Sequence, residues 1–285
     1  MRPSERLTLI AALTLSAITA AVQPQGSAPR LLVFLAIAVA TVQLARSSPG
    51  PGIGFLRDWL PVGAVLAIFL LLQTIIEASA PWRLDATLAA IDARYLPWLR
   101  DAWRGAFGRP AAFTDAIYLA YVSYYLLPIT VAAVAWRRDR ESFERTVFAL
   151  LLGFYLTFFG YLLMPASGPR LPVEDEARQL GGGAISEAVR AFLHTAELTT
   201  LDAFPSGHTA VAVISGVFGT CMLGRSAAAA LWTWAAAVVF ATVYLEVHYV
   251  VDVAAGLALA ALVLALCPRP VPPRKYGYSR TRSSE

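Results

Sequence analysis

Charge is scarce in this chain. Asp, Glu, Lys and Arg make up only 15% of its 285 residues, against about a quarter in a soluble globular domain. That scarcity excludes an ordinary solvated surface. Cysteine is almost missing. Cys221 and Cys267 are the only two, both near the ends of apolar segments, so a disulfide framework is excluded and both read as packing residues. Histidine occurs only three times, which makes each placement informative. No internal repeat and no low-complexity domain is evident. What the chain has instead is apolar residues, 58% of the total, with a mean hydropathy of +0.60. They lie in long blocks separated by short charged stretches, the pattern of an all-α, polytopic transmembrane helical bundle. The net charge of +4 does not indicate nucleic acid, because the arginines form no single basic face.

Eight apolar blocks are long enough, or nearly so, to cross a bilayer: 7–22, 31–44, 60–76, 113–136, 147–164, 209–223, 227–247 and 249–267. A crossing takes about 20 residues, with a tolerance of a few. The sixth block reaches that length if its helix starts near Pro205, since proline suits a first turn. Segment 78–112 alternates apolar and charged residues, with tryptophans at 82, 98 and 103, and reads as an amphipathic interfacial helix. Segment 165–207 is the longest polar stretch, with a triple-glycine break at 181–183 and a short helical pattern through His194. The tail 268–285 is rich in Pro, Arg and Ser and reads as disordered and cytoplasmic.

Arginine and lysine placement sets the orientation. Segments 1–6, 45–58, 137–145, 224–226 and 268–285 hold 14 of these residues, whereas the longer set 23–30, 78–112 and 165–207 holds 9. The positive-inside rule puts the first set, and both termini, in the cytoplasm of a cell (inner) membrane. A rival reading of the N-terminus is a signal peptide, with Arg2 and Arg6 before the apolar run and Thr19-Ala20-Ala21 as a cleavage site. Cleavage would leave everything downstream in place. The expected organisation is 1–56 as peripheral transmembrane helices, 57–267 as the catalytic transmembrane domain and 268–285 as the tail.

Three polar constellations fall at span ends: Pro165-Ala-Ser-Gly-Pro-Arg170, Ala203-Phe-Pro-Ser-Gly-His208 and His248-Tyr-Val-Val-Asp252. Span parity puts all three on the extracytoplasmic side. His248 and Asp252 are four apart, a spacing that stacks two side chains on one helical face. A carboxylate against one ring nitrogen fixes the tautomer and frees the other nitrogen to attack. Ser206 is a good N-cap, and a helix start is an anion site. Gly207 lets a phosphate approach the backbone, His208 is placed as general acid and base, and Arg170 offers a planar donor fork. Together they describe a metal-free phosphoryl-transfer site. His248 attacks phosphorus, Asp252 stabilises the charged ring, and His208 moves protons.

Phe204-Pro-Ser-Gly-His-Thr-Ala210 and His248-Tyr-Val-Val-Asp-Val-Ala-Ala-Gly256 resemble the second and third signature motifs of the type 2 phosphatidic acid phosphatase (PAP2) superfamily. Tyr161-Leu-Leu-Met-Pro-Ala-Ser-Gly-Pro-Arg170 looks more like the branch holding inositol phosphorylceramide synthases and inositolphosphotransferase-like bacterial relatives. The stretches 118–128 and 57–60 are similar to that branch too. The resemblance spans about 57–256. It implies a six-helix catalytic core from about Leu60 onward, His248 as nucleophile, Asp252 as its partner and His208 as acid. Arg170, Ser206 and Gly207 match phosphate-binding positions. It implies no metal and no cofactor, and as substrate a membrane lipid phosphoester such as phosphatidic acid, a polyprenyl phosphate or a phospholipid. Three family cations are missing: their positions hold Leu163, Thr242 and Glu246. Arg178, Arg190 and Arg109 are the candidates to replace them.

The plainer readings point elsewhere. The missing cations fit a catalytically degenerate lipid-binding or transport protein on the same scaffold. His194 belongs to no motif and reads as structural or solvated. Tyrosines 118, 121, 124 and 125 stand at helical spacing and read as packing, and Glu246 as the partner of a nearby arginine.

Overall fold

The computed structural model describes residues 1–23, 25–47, 50–105, 110–170, 180–196 and 199–269. Expectations for the tail beyond residue 269, and for Arg109 and Arg178, lie outside them. The described residues form an all-α bundle. Six helical stretches are long and apolar enough to cross a membrane. They are α1 (Pro3–Val22), α2 (Ala28–Arg46), α3 (Pro51–Ser79), the stretch Ala111–Arg138, α8 (Arg140–Leu163) and α11 (Arg225–Tyr244). Two shorter apolar helices, α10 (Gly207–Thr220) and α12 (Val250–Leu266), complete the set.

Three differences from the sequence reading bear on the site. The segment 78–112 is not one helix but two, α4 (Asp85–Tyr95) and α5 (Pro97–Gly105). Pro97 has no amide to continue α4, and proline suits the first turn of the next helix. The fourth span is interrupted. Helix α6 (Ala111–Val122) tightens into a 3₁₀ turn at Ser123–Tyr125 before α7 (Leu126–Arg138). Pro128 removes the amide that would bond back to residue 124, so the ladder tightens one turn earlier. The sixth span begins at Gly207 rather than Pro205. Helix α10 therefore rises only about 21 Å against a hydrocarbon core of about 30 Å, and its first turn, with Ser206, Thr209 and Ala210, is buried inside the bundle.

Helix α8 is the central post. It packs against α1, α3, α7, α10 and α12, and α10 packs in turn against α7, α11 and α12. Its buried residues include Phe143, Val147, Leu151, Tyr155, Phe158 and Tyr161. Helix α1 shares this core through Ala11, Ala12 and Leu15. Its first turn is tied down by ions. The buried Glu5 accepts from Arg57 Nε at 2.6 Å, and the buried Asp58 accepts from Arg2 Nη1 at 2.8 Å, Arg140 Nη1 at 2.8 Å and Trp136 Nε1 at 3.0 Å. Buried carboxylates are tolerated where each is paired this fully. At the opposite end, α9 (Ala184–Ala196), which carries His194 in its last turn, packs on α6.

Candidate active site

The three motifs meet at one end of the bundle, and four contacts join them. The first motif leaves α8 as an extended chain whose Ala166 carbonyl accepts from the Ala203 amide at 3.0 Å. It turns at Gly168, where φ is +79°. A Cβ there would collide with the Val247 carbonyl, so only glycine lets the first and third motifs approach this closely. The Ser206 amide donates to the Asp252 carbonyl at 3.1 Å. His208 Nδ1 and His248 Nε2 lie 3.4 Å apart.

The second motif forms the predicted helix start. Ser206 is fully buried and is the N-cap of α10, its hydroxyl oxygen accepting from the Thr209 amide at 3.2 Å. A Cβ on Gly207 would sit 2.5 Å from the Tyr161 hydroxyl, so the first turn lies tight against α8. His208 follows, pressed between neighbours. Its ring centroid is 4.2 Å from that of Tyr124 and 5.0 Å from that of Tyr121. The 3₁₀ turn carries Tyr124 into this position. His208 Nε2 is buried and has no hydrogen-bond partner among the described residues.

The third motif differs from expectation in its local form. His248 and Asp252 do not share a helical face. Helix α11 ends at Tyr244, and Glu246, itself buried, takes a left-handed φ of +59°. The amides of Val247 and His248 both donate to the Thr242 carbonyl, at 2.9 and 3.1 Å. Helix α12 starts only at Val250, so His248 precedes it and Asp252 lies within its first turn. Asp252 reaches back as a cap: its Oδ2 accepts from the Tyr249 amide at 2.9 Å and faces His248 Nδ1 at 3.4 Å. His248 is 2% exposed and Asp252 0%. The partnership expected from the spacing thus forms through capping rather than helical stacking.

Four side chains to which the sequence reading gave no part in the site, Asp92, Asp85, Asp202 and Tyr124, complete it. Asp92 on α4 is buried and accepts from the Val250 and Val251 amides at 2.8 and 3.0 Å, fixing the start of α12. Asp85, also on α4, accepts from the Ser167 and Gly168 amides at 2.9 and 3.0 Å, fixing the first motif. Burial, with Asp85, Asp252 and Asp92 nearby, pushes the Tyr249 phenol up, so it stays neutral. Asp202, just before the second motif, takes Arg170 Nη2 at 2.7 Å. Tyr124 has been described. None of the four was marked by a motif.

The replacement cations resolve differently. Arg190 donates to the Gly181 carbonyl at 3.0 Å and lies over the Tyr118 ring, serving the contact between α9 and α6. Leu163, where the family has a cation, is 68% exposed on the outside of the bundle. Among the described residues no three His, Cys, Asp or Glu side chains converge as a metal site requires.

Chemically, the arrangement is a buried relay of carboxylate, imidazole and imidazole, with one arginine beside it. The 3.4 Å between the rings leaves no room for a phosphoryl group between them, because an attacking nitrogen needs about 3–3.5 Å to phosphorus alone. A phosphoryl group placed between them would have to part the rings. A family model described as PAP2 superfamily matches residues 86–266, which takes in all three motifs. No curated protein and no solved structure matches the chain significantly.

Proposed function

We propose, from the premise that this chain belongs to the PAP2 superfamily, that it is a membrane phosphatase or phosphotransferase acting on a lipid phosphoester through a phosphohistidine. The observation that carries the reading is the relay Asp252–His248–His208, with both contacts at 3.4 Å. It lies at the buried start of α10 in a chain with six candidate membrane spans. His248 Nε2 attacks phosphorus, and the bond to the ester oxygen breaks. His208 gives its proton to the leaving oxygen, and Asp252 faces the imidazolium that forms. Water or an alcohol then attacks the phosphohistidine. The P–N bond breaks, and His208 takes the proton of the attacking hydroxyl. Arg170, Ser206 and the Gly207 turn hold the phosphate oxygens. The positive-inside distribution supports an extracytoplasmic site and cytoplasmic termini. The first motif, with its likeness to inositol phosphorylceramide synthases, favours head-group transfer to an alcohol over hydrolysis.

One observation favours a second reading, a catalytically silent lipid-binding or transport protein: Arg170 is already engaged by Asp202. The test is phosphate release from phosphatidic acid and polyprenyl phosphates, and head-group transfer from phospholipids, by purified protein in detergent with EDTA present. Labelled phosphate should be trapped on His248. Turnover unchanged in His248→Ala would sink the mechanism, and lipid binding without trapping would favour the second reading.

A further inference from the structure

A narrow slot runs down the inside of the bundle from His208. His208, Asp202 and Tyr161 form its upper end, and Val62, Ala132 and Val147 its lower end. Between the ends every wall residue is apolar or aromatic except Thr157, whose hydroxyl donates to the Phe154 carbonyl of its own helix at 2.7 Å. From Tyr161 to Val147 the slot follows α8 over about 21 Å. Its volume is only about 160 Å³. An enclosed volume of that size holds a molecule the size of benzene, so a longer chain lies along the slot with one flank at its open side.

The slot has a floor and a side opening. One turn below Val62, Ala132 and Val147 stand Trp59, Trp136 and Phe143. The Trp59 ring lies 6.4 Å from Trp136 and 5.8 Å from Phe143, centroid to centroid, closing the lower end with aromatic rings from the same three helices. On one side, α3 and α7 both pack on α8, and they meet each other at the floor through Trp59, Trp136 and Asp58. The wall residues Leu66 and Ile129 are 54% and 44% exposed there. A chain can slide in sideways from the bilayer without its phosphate leaving the end of the bundle where the histidines sit. The α3 wall lies outside residues 86–266, the range that the family model matches.

We infer that this slot holds one straight, acyl-length chain of the substrate, with the phosphoester at its upper end between His208 and His248. The inference rests on the phosphotransfer reading of that site. An extended chain advances about 1.25 Å per carbon, from a carbon–carbon bond of about 1.5 Å at tetrahedral angles, so about 16 carbons span the length of the slot. A second chain, where the lipid has one, stays in the bilayer outside the α3–α7 opening. A long polyprenyl chain exceeds the slot in length. Lipid tails are as apolar as these walls, so seating a chain gains little hydrophobic free energy. The slot acts through shape: it aims the phosphoester, and a chain that meets the floor lifts the phosphorus away from His248.

The test is a length series in mixed micelles at fixed mole fraction: straight alkyl phosphates of 8 to 22 carbons, phosphatidic acids with matching chains, and a polyprenyl phosphate. The expected kcat/KM peaks near 16 carbons in both straight-chain arms and is at least tenfold lower for the polyprenyl phosphate. Ala132→Phe and, from the facing helix, Val147→Phe each raise the floor and move the peak shorter by about four carbons. A flat profile, or an unmoved peak in the folded variants, overturns the slot. A 16-carbon alkyl phosphate with a terminal diazirine gives a readout independent of turnover. It should label Trp59, Trp136 or Phe143 in the unmodified protein and in His248→Ala alike. Labelling there without any phosphate release sinks the phosphotransfer reading and keeps the slot. Release with label scattered over outward leucines such as Leu32 and Leu35 keeps the reading and reduces the slot to ordinary surface lipid.

Discussion

Asp252→Asn removes one negative charge and almost no volume. Asp252 Oδ2 accepts from the Tyr249 amide at 2.9 Å and faces His248 Nδ1 at 3.4 Å, with the side chain fully buried. The asparagine carbonyl can still accept from Tyr249, so the start of α12 keeps its cap. What disappears is the anion opposite a ring that, in the proposed mechanism, becomes cationic on taking the phosphoryl group. Opposite unit charges separated by the observed 3.4 Å attract by about 5 kcal/mol at an effective dielectric of about 20. A hydrogen bond to a charged group has a net value of about 1.5–3 kcal/mol. A loss of about 3–5 kcal/mol corresponds to a fall in turnover of about 10²- to 10⁴-fold. The assay is phosphate release from phosphatidic acid in detergent, with thermal unfolding followed on the same samples. The expected result is this loss of turnover with an unfolding temperature close to that of the unmodified protein. A variant that kept turnover within about threefold while staying folded would show that the Asp252 charge does not support His248.

Three further perturbations separate the site's supports. Gly256→Ala would place a Cβ 2.5 Å from the Ser206 carbonyl oxygen and 2.9 Å from Thr209 Cβ. The backbone oxygen cannot rotate away, so α10 and α12 part at a cost of about 1–3 kcal/mol. Unfolding temperature and turnover should fall together, and an unchanged unfolding temperature would contradict the packing. Asp92→Ala strips the Val250 and Val251 amides of their acceptor. It should cost about 1–3 kcal/mol in thermal or denaturant unfolding, with partial rescue by Asp92→Asn, which retains one acceptor; equal losses in the two variants would refute the cap. Asp139 caps α8, and the Ser142 amide and hydroxyl hold its carboxyl below the usual range. Its folded pKa is depressed, so the cap's contribution is present above the ordinary carboxylate pKa and lost as pH falls through the folded value. Asp139→Ala should cost about 0.5–2 kcal/mol near neutral pH. The gap in unfolding temperature should close in acid, and a gap independent of pH would rule the cap out.

The helices were legible in the chain because apolar blocks of spanning length have few other uses. The meeting of the three motifs was legible through span parity. Their local form was not. Four residues between a histidine and an aspartate look the same whether they wind as helix or close as a cap. What decides is Glu246 turning left-handed and ending α11 early, a choice made by packing. The carboxylates Asp85 and Asp92 were hidden for a different reason. Both lie on a stretch whose charges suit an interfacial helix, and their partners stand 82 and 158 residues away or more. The tyrosines show how a correct plain reading can be incomplete. Tyr121 and Tyr124 do pack, as helical spacing suggests, but the ring they pack on is His208.

The scarcity of charge has a consequence for how the site binds phosphate. Around it the acids clamp backbone amides: Asp85 holds the first motif, Asp92 the start of α12, Asp252 the Tyr249 amide, and Asp115 the Gly183 and Ser186 amides beside α9. Each clamp fixes a loop that low-dielectric surroundings would otherwise leave with unpaired donors. The same clamps use up positive ends. With the Ser167 and Gly168 amides given to Asp85, the proposed phosphate site would draw its charge from Arg170, His208 and the first turn of α10. Arg170 in turn is shared with Asp202 at 2.7 Å. A phosphate that engages Arg170 therefore gains less than from an arginine held for it alone. Rigid loops with a shared cation favour catalysis over tight ground-state binding, because interactions that strengthen only at the transition state raise turnover. By this logic the missing cations at Leu163, Thr242 and Glu246 do not by themselves argue for a silent protein. They fit a site in which a slot for the chain aims the substrate and phosphate affinity is kept low.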